Sequence, residues 1–491
     1  MRNGARIAIV AAALLALAIP LAALAASRGS DTQAAPAAAP SFTRDVAPII
    51  ANKCAGCHQV GGIAPFPLET ARQISQRASL IASAVKAGVM PPWPPGVRSP
   101  AYVGQDTRIL TSQQRAAIFA WAKAGGKIDG PASRPPALKP PEVRDGETLL
   151  DLRMPTAYKP SAQAGVTDDY RCFLLDPKQP TDMSVTSARI DPGQPKIVHH
   201  VILFRVAPGQ VAAAKRMDGT EPGPGWSCFG GTGLPAADSV GSFVDSLNDA
   251  NWVAAWAPGW GGNRLPNGTG VPLAAGSQIV MQVHYNLLNG RSPDRSRALL
   301  TVAPASAGLT PLKTMLLPGP VELACAKGEA GRLCDRNEAL FELSRKYGSG
   351  AAFVPAGLLI LCRGNAANPK PSAVSTCDRR ITTPTTIHVA AGHMHLLGAA
   401  VRIELNPGTS RAQVLLDIPG WDFHWQNAYT LARAVKADAG DVVRVTCRHD
   451  VSKRVHAAHT GAAIPQKPRY ILWGEGTTDE MCLGILQVTR G

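Results

Sequence analysis

The chain of 491 residues is poor in aromatic side chains, which make up 5% of it, against 47 glycines and 42 prolines. This balance favours β-strands joined by turns over a helical bundle. After residue 26, no apolar run is long enough to cross a membrane. The chain also lacks an aromatic-basic stripe for nucleic acid and the Met- or His-rich tracts of metal-handling proteins. The net charge of +15 therefore indicates a solvated surface, with docking to an acidic redox partner as the weaker alternative.

The N-terminus has the pattern of an export signal. Arg2 and Arg6 precede an apolar run that ends in small residues near Ala26. This predicts a secretory signal peptide over residues 1–26 and a periplasmic or secreted protein with no membrane span after cleavage. An uncleaved membrane anchor is the alternative, which Pro20 disfavours.

The rest of the chain changes pattern twice. An Ala/Pro-rich linker over 27–41 leads into helical periodicity over 42–130, and a Pro-rich linker over 131–155 follows. Beyond it the periodicity is two, typical of short strands between turns. We expect a multidomain protein, with a small all-α domain followed by two antiparallel β-sandwiches over 156–305 and 306–491.

The helical segment carries the motif C-x-x-C-H at residues 54–58. Cys54 and Cys57 can form thioethers with haem vinyl groups, and His58 would be the proximal iron ligand. Met90, in a Met-Pro-Pro-Trp stretch, is the candidate distal ligand. For the motif, the alternative is a chance C-x-x-C next to a histidine. For Met90, the alternative is a methionine of the core that binds no iron. Residues 42–130 resemble class I cytochrome c domains, which implies a covalent haem c that carries electrons.

Three histidines lie in strand-like segments of the first sandwich. His199 and His200 are adjacent, and His284 belongs to the segment QVHYN. Because successive strand side chains point to opposite faces, the adjacent pair can hold one metal only if the strand is twisted or one ring uses its other nitrogen. One core and one surface histidine is the alternative.

A second set of candidate ligands lies in the last sandwich. His393 and His395 in GHMHLLG are spaced i,i+2, which places both imidazoles on one strand face. Met481 in DEMCLG offers a soft thioether. Three imidazoles at one centre, and two imidazoles with a thioether at the other, suit copper that cycles between Cu(I) and Cu(II) better than zinc.

The order of the motifs HHVILF, QVHYN, GHMHLLG, WDFHWQNAY and GTTDEMCLG resembles the type II copper, ascorbate-dependent monooxygenases, the peptidylglycine α-hydroxylating and dopamine β-monooxygenase-like family. The resemblance covers 156–491 and implies two jelly-roll-like copper domains with an open cleft between them. It implies an electron-transfer copper on His199, His200 and His284. It also implies a copper on His393, His395 and Met481 that binds oxygen and substrate, which makes these three residues the catalytic candidates.

The resemblance also implies roles for other residues. It pairs Cys172 with Cys228 and Cys447 with Cys482. Cys325–Cys334 and Cys362–Cys377 are expected only because their members are near each other in the sequence, which leaves the connectivity of these four cysteines open. Tyr170 and Gln282 match family positions that support the first copper, with a purely structural role as the alternative. The remaining histidines outside the helical segment are expected to be structural or at the surface, with His388 near enough to His393 to support it. They are His388, His424, His449, His456 and His459.

Three positions depart from the peptide-amidating enzymes. Ala391 replaces an arginine that holds a substrate carboxylate, and Leu483 and Ile485 replace an asparagine and a tyrosine. The sequence therefore predicts a copper monooxygenase that hydroxylates a C–H bond of a weakly polar small molecule with O2. The fused haem would relay electrons from ascorbate or a redox protein. The alternative is a periplasmic haem/copper electron-transfer or copper-binding protein without hydroxylase activity.

Overall fold

The structure is a computed structural model. It describes residues 40–60, 64–133, 141–162, 168–228, 231–234, 247–257, 262–287, 290–423, 425–457, 463–465 and 467–491. The expected signal peptide, nearly all of the linker over 27–41, His424, His459 and the side chain of His456 lie outside the described residues. Within those ranges, no helix combines the length and the apolar character needed to cross a membrane.

The regular elements described between residues 40 and 133 are helical. A π-helical turn (Phe42–Val46) and a 3-10 turn (Gln105–Thr107) accompany α1 (Ala47–Lys53), α2 (Ala71–Ser75), α3 (Ala78–Lys86) and α4 (Ser112–Lys123). Thr70 and Thr111 begin α2 and α4 with capping boxes, each accepting a hydrogen bond from the glutamine three residues on. Apolar residues of the π-helical turn and of α1 to α4 pack into one core around Trp121.

Eleven described strands form the first sandwich. They are β1 (Thr148–Arg153), β2 (Asp168–Leu175), β3 (Met183–Asp191), β4 (Val198–Val206), β5 (Trp226–Ser227), β6 (Trp252–Trp256), β7 (Asn263–Arg264), β8 (Thr269–Leu273), β9 (Gln278–Asn286), β10 (Arg297–Pro304) and β11 (Thr310–Pro311). One sheet has the order β1-β10-β3-β8-β11 with β7 on β3, and the other has the order β5-β2-β9-β4-β6. Their pairings are antiparallel except that of β8 with β11. A further helix, α5 (Val211–Asp218), follows β4.

The expected linker over 131–155 is wrong at its C-terminal end, where β1 forms. Residues Thr148–Arg153 pair in register with Arg297–Val302 of β10 and form the edge of the first sheet. Leu152 in this strand is buried in the sandwich core, which explains the pairing. The prolines that indicated a linker cluster before residue 142, and β1 itself contains no proline.

Twelve described strands belong to the second half. They are β12 (Lys313–Gly319), β13 (Glu322–Leu323), β14 (Val374–Arg380), β15 (Thr385–His393), β16 (Gly398–Leu405), β17 (Gln413–Ile418), β18 (Ala428–Ala437), β19 (Val442–His449), β20 (Val455–Ala457), β21 (Ala463–Pro465), β22 (Ile471–Leu472) and β23 (Cys482–Arg490). The sheets β12-β23-β15-β18 and β14-β19-β16-β17 form the second sandwich, and β13-β22 and β20-β21 are two-stranded. Helices α6 (Arg336–Tyr347) and α7 (Ser349–Leu361) lie between β13 and β14.

Described disulfides brace both sandwiches. Cys172–Cys228 links β2 to the residue after β5, and Cys447–Cys482 links β19 to β23. The other two pairs are Cys325–Cys334 and Cys362–Cys377. These are the four pairs expected from the sequence, whereas Cys54 and Cys57 are not joined.

The loop between α3 and α4 lies on the second sandwich. Two backbone hydrogen bonds join this loop to β18: Val103 donates to Thr430, and Ala432 donates to Ala101. A third joins it to β17, where Asp417 accepts from the backbone of Gly96. The helical segment is therefore fixed to the second sandwich by its own loop, and not only by the linker that follows it in the chain.

Candidate metal centre

A bulge in β4 brings the adjacent histidines together. Register with β9 shifts between Val198 and His200, so that two residues of β4 stand against one of β9. Such a bulge re-aims one side chain and removes the strict alternation of faces. On β9, Ile279, Met281, Val283 and Tyr285 face the core between the sheets. Alternation therefore places His284 on the other face, next to His200.

Three Nδ1 atoms converge at this point. Nδ1 of His200 lies 3.3 Å from Nδ1 of His199 and 3.3 Å from Nδ1 of His284. Ligand atoms of the three residues all lie within 4.8 Å of one another. Two nitrogens that each bind one ion at about 2.0 Å in tetrahedral geometry would be about 3.3 Å apart. The three imidazoles therefore fit a single transition-metal ion.

Residues around His284 fix its orientation. Nε2 of His284 lies 2.8 Å from Oδ1 of Asp168, so this hydrogen bond turns Nδ1 toward the other two histidines. The ring of Tyr170 stacks on that of His284 at 4.1 Å and 9°. Tyr170 thus touches a candidate ligand directly. Gln282 instead donates to the backbone oxygens of Cys228 and Gly231 and holds the disulfide-bonded loop.

The second set lies at the end of β15 and the start of β23. The ring centroids of His393 and His395 are 5.1 Å apart, and Met394 between them points into the core of the second sandwich. Nδ1 of His393 lies 2.5 Å from Oε1 of Gln426, and Nδ1 of His395 lies 3.2 Å from the backbone oxygen of Asp479. Both rings therefore keep Nε2 for a metal, with Met481 on the wall of the same cavity.

Glu480 holds the two halves of this set together. Its buried carboxylate accepts backbone hydrogen bonds from His395 at 2.9 Å, Leu397 at 2.7 Å and Met481 at 2.9 Å. Burial raises the pKa of Glu480 to about 8. Glu480 was not among the residues expected at the site, although its position directly before Met481 indicated that it would lie there.

His449 is buried rather than exposed. Its Nε2 lies 3.3 Å from the backbone oxygen of Met481 and 3.6 Å from the carboxylate of Glu480. It supports the methionine segment from β19. His388 lies on the same strand as His393, but its Nε2 contacts the hydroxyl of Thr489 at 3.0 Å. Within the part of the chain that the structure describes, His449 thus packs against the second set.

The open cleft expected between the two sets is not seen at the histidines. The ring centroids of His200 and His393 are 6.4 Å apart, and Phe423 stacks on His199 at 4.5 Å. Thr477 donates a 2.5 Å hydrogen bond to Asp168 across the two sandwiches. These contacts close the space because the segment before Met481 reaches over to β2.

Next to these contacts, a cavity of about 510 Å³ lies between the two sandwiches. Its wall includes members of both histidine sets together with Ala391, Leu483 and Ile485. Met481 also lines the cavity and is 6% exposed. The three positions that depart from the peptide-amidating enzymes therefore face the same space as the candidate ligands, and they make its wall apolar there.

Three of the candidate ligands, His200, His393 and His395, lie in surroundings that disfavour a positive charge on their rings. Burial lowers the pKa of His393 to about 4, and burial lowers the pKa values of His200 and His395 well below their ordinary value. Imidazoles bind metal in the neutral form. These rings therefore hold their lone pairs available at neutral pH.

The residues of the C-x-x-C-H motif lie together directly after α1. His58 is buried, and its Nδ1 lies 3.0 Å from the backbone oxygen of Phe66, which leaves Nε2 for iron. Cys54 and Cys57 are not bonded to each other and follow α1 directly. Met90 is half-buried and begins the loop that lies on the second sandwich.

Residues 367–487 match the sequence model described as copper type II ascorbate-dependent monooxygenase, C-terminal domain. This match supports the expected family. It spans β14 to most of β23 and includes His393, His395 and Met481. No curated protein matches the chain.

Two solved structures show a weak likeness. A Paenibacillus xanthan lyase is 12% identical, with 74% of this chain and 28% of that chain covered and a TM-score of 0.16. An allantoicase is 11% identical, with 67% and 90% covered and a TM-score of 0.13. This chain thus spans 28% of the lyase's length. TM-scores this low carry no argument about fold or function.

Proposed function

We propose that the protein is a copper-dependent monooxygenase that inserts one atom of O2 into a C–H bond of a small molecule. The balanced reaction takes the C–H compound, O2, two electrons and two protons to the alcohol and water. His199, His200 and His284 would hold one copper, and His393, His395 and Met481 would hold the other. Bound copper would supply one-electron steps between Cu(I) and Cu(II).

One observation carries this proposal. Both histidine sets border a single cavity, with His200 and His393 separated by 6.4 Å between ring centroids. A copper store or a simple electron carrier has no need of a cavity of about 510 Å³ at its metal ligands. An enzyme needs this space for its substrate, and an apolar wall excludes water from the reacting bond.

The cavity wall bears on the class of substrate. Ala391 lies where a carboxylate-binding arginine would stand, and Leu483 and Ile485 add apolar surface. These three side chains carry no positive charge, so a substrate carboxylate placed beside them would lose its hydration without gaining a partner from them. A weakly polar or aromatic compound is therefore the proposed substrate class.

The helical segment would supply electrons one at a time. Cys54 and Cys57 would attach the haem, and His58 and Met90 would be its axial ligands. The haem would be reduced by ascorbate or by a redox protein. The four disulfides are consistent with an exported protein, so we propose a periplasmic or secreted location.

Metal analysis combined with oxygen uptake tests the proposal. We expect one covalent haem and two coppers per chain, and substrate-dependent oxygen consumption with small apolar and aromatic compounds when the haem is kept reduced. Full copper without substrate-dependent uptake across a broad panel would favour the electron-transfer or copper-binding alternative. A chain that binds zinc and no copper would exclude both copper functions.

A further inference from the structure

Helix α7 is apolar on every side, although only part of its surface is covered by the rest of the protein. None of its 13 residues carries a charge. Leu358 packs in the core of the second sandwich, and the disulfide Cys362–Cys377 ties the end of the helix to β14. A helix that is apolar all round is normally buried all round. Another face of α7 nonetheless lies at the surface.

Phe353 and Ile360 dominate this exposed face. Phe353 is 75% exposed and Ile360 is 69% exposed. Gly357 is also exposed and lies between them, since residues four and seven positions apart share one side of a helix. The stripe of Phe353, Gly357 and Ile360 is called the α7 face below. Single exposed apolar side chains are ordinary, but large ones that form a patch indicate a contact surface.

The α7 face lies beside the cavity between the two sandwiches. Val354 and Leu358 of the same helix both line that cavity. Leu358 is buried, whereas Val354, the neighbour of Phe353, is 38% exposed. Val354 therefore borders the cavity and the surface at once. An apolar compound at the α7 face would meet apolar side chains from Phe353 inward to Leu358.

Positive charges stand at both ends of α7. Arg345 and Lys346 lie in the last turn of α6, just before α7 begins, and Arg363 follows α7. Arg345 and Arg363 are exposed. The two glutamates of α6, Glu338 and Glu342, each form an ion pair with an arginine. An anionic surface placed against the α7 face would therefore meet cations at both ends of the helix.

The size of the α7 face bears on what covers it. A helix of 13 residues is about 20 Å long, so a stripe about 10 Å wide offers about 200 Å². A stable contact between two proteins buries about 800 Å² on each partner. This face alone is too small for a stable contact with a second copy of the chain. A lipid bilayer needs no matching surface, because a few inserted apolar side chains with flanking cations give reversible binding.

We propose that the α7 face docks the protein on an anionic lipid bilayer. Phe353 and Ile360 insert among the lipids, and Arg345 and Arg363 lie at the level of the phosphates. The helix lies in the plane of the interface and does not cross the bilayer. The docking needs no metal. Its use to the enzyme rests on the proposed function, since a weakly polar substrate dissolved in the bilayer would enter the cavity along α7 without crossing water.

Cosedimentation of the full chain with vesicles tests the docking. The vesicles contain phosphatidylcholine alone or a mixture with phosphatidylglycerol. We expect binding to the anionic mixture, reduced about tenfold or more by Phe353→Ser or Ile360→Ser. Arg345→Gln should reduce it about fivefold. Leu80→Ser on α3, at an apolar position that is 53% exposed, is the matched control and should bind like the wild type. Wild-type binding in both serine variants of α7 would overturn the inference.

Lipids brominated on their acyl chains report contact at one residue. Phe353→Trp is compared with Leu80→Trp, and the bromines should quench the added fluorescence only in Phe353→Trp. This difference does not depend on residues 1–26, because an uncleaved anchor would hold both variants at the membrane alike. Equal quenching in the two variants, or none in either, would contradict the docking of α7.

Sedimentation velocity tests the other occupant. A wild-type dimer that Phe353→Ser converts to a monomer would assign the α7 face to a second copy and overturn the docking.

Oxygen uptake separates this inference from the proposed function. With an apolar compound supplied in vesicles, uptake should fall in Phe353→Ser, while uptake with the same compound in solution should not change. Vesicle binding without any substrate-dependent uptake would contradict the proposed function and leave the docking in place. Uptake without vesicle binding would overturn the docking alone.

Discussion

The carboxylate of Asp168 accepts a 2.8 Å hydrogen bond from Nε2 of His284. The same oxygen accepts a 2.5 Å hydrogen bond from the hydroxyl of Thr477, which lies four residues before Met481. One buried carboxylate therefore orients a candidate ligand of the first centre and anchors the segment that carries a candidate ligand of the second. Carboxylates that hold a ligating imidazole in this way tune both its orientation and its basicity.

Replacing Asp168 by asparagine should weaken metal binding at the three histidines. Asparagine keeps the size of the side chain but loses the charge that stabilises the hydrogen-bonded imidazole. We expect copper affinity at this centre to fall by about 10–100-fold, with the second centre less affected. Titration of the apo protein with copper against a chelator of known affinity measures the change.

Asp169→Asn is the matched control. Asp169 is the next residue on β2 and equally buried, but it accepts from Tyr158 and the backbone of Ser161 at 2.8 Å each. Its replacement should reduce stability and leave copper affinity at the three histidines unchanged. Equal losses of affinity in both variants would show that general disturbance of β2, and not the bond to His284, accounts for the effect.

Gln426→Leu should reduce copper binding at the second centre. Leucine removes the oxygen that contacts Nδ1 of His393, so the ring is free to turn its Nε2 away. We expect a copper affinity about 10–100-fold lower at this centre. Gln426→Glu keeps an acceptor at the same place and should retain more of the affinity. Wild-type affinity in Gln426→Leu would mean that packing alone orients the ring.

Loss of the disulfide beside Met481 should cost more stability than loss of a short-loop disulfide. The loop closed by Cys447–Cys482 spans 35 residues, which corresponds to about 4 kcal/mol of unfolding free energy. The loop of Cys325–Cys334 spans 9 residues and corresponds to about 2.6 kcal/mol. Urea unfolding of the two double-alanine variants compares them. A larger loss of stability in the variant without Cys325–Cys334 would contradict this expectation.

The haem assignment has a direct chemical test. Thioether bonds survive denaturation, so wild-type chains should stain for haem after separation on a denaturing gel. Cys54→Ala with Cys57→Ala should remove the stain. Met90→Ala should keep the stain but lose the Met–Fe charge-transfer band. An unchanged band would assign the distal position to another residue.

The local motifs were readable from the sequence, and the long-range contacts were not. His58, the strand bearing His199 and His200, and the i,i+2 pair of His393 and His395 each follow from neighbours in the chain. The sequence predicted that the strand must be irregular if His199 and His200 were to bind one metal, but it did not predict the bulge itself. The bulge depends on pairing with β9, where His284 lies 84 residues after His200.

The supporting residues were missed for the same reason. Asp168 meets Thr477 across 309 positions, and Gln426 meets His393 across 33. No sequence pattern around Asp168 or Gln426 indicates which distant residue it contacts. The attachment of residues 93–103 to β17 and β18 was also unforeseen, because the prolines there indicated only a loop.

Substitutions at Met481 test whether the protein is an oxygenase or an electron carrier. A thioether is a soft ligand that favours Cu(I) without adding charge, whereas imidazole also suits Cu(II). Met481→His should therefore keep copper bound and the haem reducible, while substrate-dependent oxygen consumption falls sharply. Met481→Leu removes the thioether at similar volume and should cost less than about 1.5 kcal/mol of stability.

Met394→Leu makes the same change in the core, one residue from both histidines, and should preserve oxygen consumption. An oxygen electrode with ascorbate-reduced haem and a panel of apolar and aromatic compounds makes the comparison. If Met481→His and Met481→Leu consume oxygen with substrate at the wild-type rate, then the thioether has no part in the reaction and the second centre must act through its histidines alone.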